Sequence, residues 1–118
     1  MHFKLLYPSM YLGSHDIGPK DLVLTIRRIV VEELKTERGT ERKPVAYFVE
    51  SEAKAKADRS EEKRLVLNKT NARIIANLYG NEVNDWAGKR ISLYSAKVSA
   101  FGAEVDAVRV RPVKPEAK

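Results

Sequence analysis

One stretch of this 118-residue chain has the spacing of an amphipathic helix, and the residues on either side of it read as strand. Ala72, Ile75, Ala76 and Tyr79 fall on one face at helical spacing, and Ile74 and Leu78 widen that stripe. Thr70 or Asn71 offers a side-chain oxygen for the N-terminus, and Gly80 stands after Tyr79 where a helix commonly ends in a left-handed residue. A helix of about ten residues does not stand alone in water, so the stripe must pack on something else. Ordinary core contact with a sheet accounts for it, and no cofactor box is visible in it. Residues 63–93 therefore read as strand, capped helix, turn and strand.

The rest of the chain supplies the sheet. Leu22, Leu24 and Ile26 alternate, and after Arg27 and Arg28 the apolar set resumes as Ile29 and Val31 in the opposite parity. A switch of parity within one long strand is what a bulge produces, and a bent strand can serve both sides of a small barrel. Residues 35–43 form a polar turn around Gly39 with four positive and two negative side chains. A second strand from Pro44 to Glu50 sets Val45, Tyr47 and Val49 on one face and Ala46 and Phe48 on the other. Residues 50–63 are charged, Ala-rich and free of large apolar side chains, which predicts a mobile loop with room for no more than a nascent helical turn. Leu65 and Leu67 mark a third strand. After a turn at residues 81–85, Trp86 opens a fourth strand in which Ile91 and Leu93 face the core. Gly102 suits a hairpin tip, and the return strand sets Val108 and Val110 against Ala107, Arg109 and Arg111 before Pro112 and Pro115 end regular structure.

The order strand-strand-strand-helix-strand-strand with a bent first strand predicts a mainly β fold with one helix, a five-stranded OB-fold-like Greek-key barrel. The expected organisation is an irregular N-terminal arm over residues 1–20, held by Tyr7, Met10, Tyr11 and Leu12, then an OB-fold-like domain over 21–112 with the charged loop 50–63, then a short basic tail over 113–118. No apolar run is long enough to cross a bilayer and no signal-peptide pattern is present, so a cytoplasmic protein is expected. The absence of cysteine rules out disulfides and thiolate chemistry. His2 and His15 are the only histidines, and His15 beside Asp16 reads as a solvated loop residue, not a metal ligand. There is no phosphate-cradling Gly-rich loop, no dinucleotide fingerprint and no evident acid/base pair. A non-catalytic protein without cofactor or metal is expected.

The run from Leu65 to Ala72, the Tyr79-Gly80 helix end, the segment from Asp85 to Tyr94 and the closing Val108-Arg-Val-Arg-Pro112 resemble a family of small phage and prophage proteins. The resemblance covers roughly residues 22–112. It implies an OB-fold similar to that of single-stranded DNA-binding proteins, and a role in phage DNA replication or recombination within the bacterial host cytoplasm. The long charged connection at 50–63 departs from the compact form of that family.

A net charge of +6 suits a polyanionic partner, provided the charges cluster on one surface. Proteins that hold single strands combine a cationic groove with aromatic side chains on which bases stack. Projected on an OB-fold, that surface is the face of strands two and three with the first and last hairpins. It includes Arg38, Arg42 and Lys43 from the first hairpin, Tyr47 or Phe48 from strand two, and Arg64 near strand three. Lys97 and Phe101 come from the last hairpin, and Arg109 and Arg111 add two outward cations. Only one of Tyr47 and Phe48 can face outward; the other belongs to the core. Trp86 reads as structural, and Arg27 and Arg28 at the bend are as compatible with strand packing as with phosphate contact. The expected partner is single-stranded DNA, with RNA as a variant because stacking and phosphate contacts serve both polymers. Phage replication or recombination proteins are further expected partners, a homo-oligomer is open, and no membrane contact is expected; the alternative is a protein-protein interaction or structural module of phage origin that touches no nucleic acid and presents an edge or groove to a protein partner or to itself.

Overall fold

A computed structural model describes residues 11–36, 39–60, 62–100 and 102–115. The parity switch at Arg27 and Arg28 is a β-bulge in the long first strand, β1 (Leu22–Thr36). Before the bulge, Leu22 to Thr25 pair with β4 (Arg90–Ala100); from Ile26 onward β1 pairs with β2 (Gly39–Phe48). β2 pairs in turn with the two-residue β3 (Leu65–Val66), and β4 pairs with β5 (Ala103–Val110). The result is a five-stranded antiparallel sheet in the order β3-β2-β1-β4-β5, with β1 shared between its two halves.

One face of this bent sheet is the core. Leu24, Ile26, Ala46, Phe48, Leu65, Ile91, Leu93, Val108 and Val110 meet there, and Ile75 of the second helix packs on them. Side chains such as Phe48, Ile26, Ile75, Ile91 and Leu93, all 0% exposed, each contribute about 1.5–3 kcal/mol through burial. Ile17, from the segment preceding β1, joins the same cluster. Earlier in that segment Tyr11 bridges Arg64 in parallel, and the Leu12 amide donates to the Arg64 carbonyl at 2.7 Å, which ties the chain's entry to β3.

Two α-helices are present among the described residues where one was expected. The first, α1 (Val49–Asp58), occupies most of the segment 50–63 that composition assigns to a loop. It buries no residue, so no apolar stripe announces it. Alanine and lysine favour the helix, Glu50 and Glu52 complement its N-terminal dipole, and Arg59 ends it in the left-handed region at φ 53°. The second helix, α2 (Lys69–Tyr79), carries the expected stripe and ends at Gly80, whose φ of 97° suits glycine. Its N-cap, however, is Asn68, whose side chain accepts from the Asn71 amide at 2.8 Å; Thr70 and Asn71 both lie inside the helix. Asn71 is needed elsewhere. Trp86 likewise does not open β4: it closes a 3-10 turn (Val83–Trp86), is buried, and donates from Nε1 to the Gly80 carbonyl at 2.8 Å, and β4 starts at Arg90.

The expected barrel is not closed by strand pairing, because no ladder joins β3 to β5 among the described residues. The short β3 leaves the edge of β5 without a strand. A side chain takes its place: Asn71, 1% exposed, donates from Nδ2 to the Val108 carbonyl at 3.0 Å and accepts from the Val110 amide at 3.1 Å. A backbone edge turned toward the interior is thereby satisfied by an amide that mimics a peptide unit.

Candidate nucleic-acid interface

The outer face of β1, β2 and β3 carries the densest arrangement of arginine and aromatic side chains. The bulge between Ile26 and Arg28 breaks the alternation, so Arg27 and Arg28 are not sent to opposite sides as neighbours in a regular strand would be. Register then sets Arg28 opposite Tyr47, and continuing the β2–β3 pairing by one residue brings Arg64 beside Tyr47 as well. The guanidinium carbons of Arg28, Arg64 and Arg27 lie 4.6, 4.7 and 5.5 Å from the centre of the Tyr47 ring. These are cation–π distances.

Three carboxylates hold the cluster in place. The Tyr47 hydroxyl donates to Glu32 and accepts from Arg64 Nη1, the latter at 2.8 Å, and Arg64 stands 3.8 Å from the same Glu32 carboxylate. Burial, together with the hydrogen bond to Glu32, pushes the Tyr47 phenol above its ordinary value. Arg27 donates to Glu62 at 2.6 Å, which holds its pKa above the ordinary guanidinium value. Its Nε sits 3.1 Å from Glu52 but off the line of a hydrogen bond, so that contact is Coulombic. Arg28 differs from its neighbours. It is exposed, and among the described residues no carboxylate pairs with it.

The expected site residues divide into several groups. Tyr47 and Arg64 belong to this cluster. Phe48 does not: the pairing of Ile26 with Phe48 turns its ring inward, where it is 0% exposed and cannot meet a base. Tyr47 is the outward member of the pair, yet at 5% exposure it lies beneath the arginines and is no open platform. Arg42 and Lys43 lie on β2, Arg42 exposed and Lys43 within 3.4 Å of Glu41. Lys97 lies on the β4–β5 hairpin, 3.5 Å from Asp106 across the pair. Arg38 and Phe101 lie outside the described residues. Arg109 and Arg111 gather at Tyr94 on the other half of the sheet: Arg109 is opposite it in register, and Arg111 stacks 3.7 Å over its ring while gripping Asp21 at 2.9 and 3.1 Å. That grip holds the Asp21 carboxyl below the usual carboxylate range.

Arg27 and Arg28 are the functional candidates that sequence reasoning left undecided, although the parity switch that flags the bulge is also the signal that both can serve one face. Tyr79 was read only as part of the helix stripe; its ring has Lys114 at 5.3 Å and Lys89 at 5.9 Å. No group of three or more metal-binding side chains occurs among the described residues, and no helix there is long and apolar enough to cross a membrane. Compared with known proteins, the chain matches no family model, no curated relative and no solved structure.

Proposed function

We propose that this protein is a non-catalytic binder of single-stranded DNA, built on an open variant of the OB-fold, with the outer face of β1, β2 and β3 as its binding surface. The observation that carries this reading is Arg28, an exposed guanidinium laid over a buried tyrosine with no carboxylate partner among the described residues. The OB reading draws on the sheet order, the bent first strand shared by two half-sheets, and the position of α2 between β3 and β4. Tyr47 acts as an underlay that orients the guanidinium planes; Arg28 and Arg64 then present flat cationic surfaces on which bases stack, and N–H groups to phosphate. Lys43, which shares the parity of Tyr47 on β2, extends that face toward the β1–β2 hairpin. Such an activity suits an accessory of phage replication or recombination.

The test is fluorescence anisotropy of a labelled oligo-dT strand at low and high salt, with duplex DNA of equal length as control. Binding that prefers the single strand and weakens as salt rises is expected, with each lost phosphate contact lowering the log–log salt slope by about 0.7. Arg28→Ala should weaken binding roughly tenfold, as expected for about 1–3 kcal/mol per stacked base. Absence of binding to oligo-dT at low salt overturns the reading.

A further inference from the structure

The β4–β5 hairpin runs on past the strand that holds its base. β1 pairs with residues 90–93 of β4 and no further, whereas β4 and β5 stay paired out to Ala100 and Ala103. The Arg111 amide donates to the Ser92 carbonyl at 2.8 Å, so alternation sends the backbone groups of Tyr94, Ala96 and Val98 to β5. Those of Ser95, Lys97 and Ser99 point the other way, along the side that β1 occupies lower down. All three residues are exposed, and their amides and carbonyls meet no partner among the described residues. An open edge of this kind is a template for another strand.

Charge separates this edge from the one on the far side of the hairpin. There the outward groups belong to Glu104 and Asp106, and Asn71 already takes those of Val108 and Val110. Pairing two copies through that edge, clear of Asn71, sets acid opposite acid, which repels. The β4 edge carries one charge, Lys97, and Asp106 stands 3.5 Å from its ammonium within the same hairpin. Among two-fold antiparallel registers, an axis at Lys97 sets lysine opposite lysine, and one at Ala96 drives the partner's strand into β1. An axis at Val98 avoids both, because it places Lys97 opposite Ser99 of the partner subunit.

We infer that a second copy of this chain pairs along this edge, β4 against β4, antiparallel about Val98, so that two hairpins become one four-stranded ribbon. Lys97 and Ser99 of each copy exchange the main-chain hydrogen bonds across the axis. Val98 and the partner's Val98 form the closely spaced pair between them, beside Val105, which is 43% exposed in the single chain. The contact is short, so the dimer is a weak one. It leaves the arginine–tyrosine face at Tyr47 untouched and does not depend on nucleic-acid binding.

Sedimentation of the unaltered chain over a rising concentration series should show a reversible monomer–dimer equilibrium. Ser99→Pro removes an outward amide and none of the β4–β5 bonds, and should raise the dissociation constant about tenfold or more. Ser99→Lys faces Glu104 in its own hairpin but meets the partner's Lys97 across the axis, so it should weaken the dimer while circular dichroism stays that of the unaltered chain. The chain has no cysteine, so a single one can report the axis. Val98→Cys, with its Cα about 4.5 Å from its counterpart, should oxidise to a linked dimer. Val105→Cys, exposed but three strand spacings or roughly 14 Å from its counterpart, should stay monomeric under the same oxidation. A chain that sediments as a monomer throughout, a dimer that both Ser99 variants leave unchanged, or equal cross-linking at the two cysteine positions overturns the inference.

Discussion

The carbonyl of Val108 and the amide of Val110 would be buried without partners if Asn71 were apolar, and each such group costs about 1–3 kcal/mol. Asn71→Leu should therefore destabilise the fold by roughly 2–4 kcal/mol, visible as a lower denaturant midpoint with little change in slope. Asn71→Asp makes a sharper test. A carboxylate still accepts from Val110 but cannot donate to Val108, whereas its protonated form can do both; this variant alone should gain stability relative to wild type as pH is lowered toward 4. Tyr47 works differently at the same scale. Its burial is provided by arginines held in place by Glu32, Glu52 and Glu62, so the ring serves to align charge and not to fill a core. The alternation of strand two made it clear that Tyr47 and Phe48 face opposite ways. What settled which faced inward was the pairing with Ile26, a contact between residues far apart in sequence.

At the scale of elements, α1 buries none of its residues, and a polar contact ties it to the sheet. Glu50 receives the backbone amide and the hydroxyl of Thr25, both at 2.7 Å, and stitches the helix to the strand edge that β2 has left. Burial works against the Glu50 charge, but the two Thr25 bonds prevail and hold its carboxyl below the ordinary value of 4.5. A depressed folded-state pKa gives stability that is present above the unfolded value and is lost as pH falls through the folded one. Thermal melts of the wild type should accordingly lose stability below about pH 4.5, and Glu50→Gln should melt lower at pH 7 by about 1 kcal/mol while losing less on acidification. The same polar attachment explains why α1 escaped the sequence reading, since periodicity reports only elements with an apolar face. β1 and α2 were legible for the converse reason: the parity switch marked the bulge, and the stripe ending at Gly80 marked the helix. The α2 cap lies two or three residues earlier than expected, at Asn68, while Asn71 is recruited by β5, a long-range demand that no local pattern carries.

Over the whole molecule, one strand belongs to both halves of the sheet. β1 gives its first four residues to β4 and the remainder to β2, so each half has its inner wall completed by the same segment. Those amides of β1 that are bonded within the sheet around the bulge should show the slowest hydrogen exchange in the protein and report the global opening free energy, with the exposed ends of the β4–β5 hairpin exchanging much faster. Arginine–tyrosine groupings occur separately at Tyr47 and Tyr94, so under the proposed DNA binding salt should act through several contacts and Arg28→Ala should remove only part of that dependence. A shared strand makes the chain a natural two-piece reporter. A cut after Ser60, beyond α1, would leave β1 and β2 on one fragment, and β4 and β5 on the other without the strand they need. Neither fragment should hold native structure by itself, and mixing the two should restore it with a concentration dependence that measures how tightly β1 grips β4.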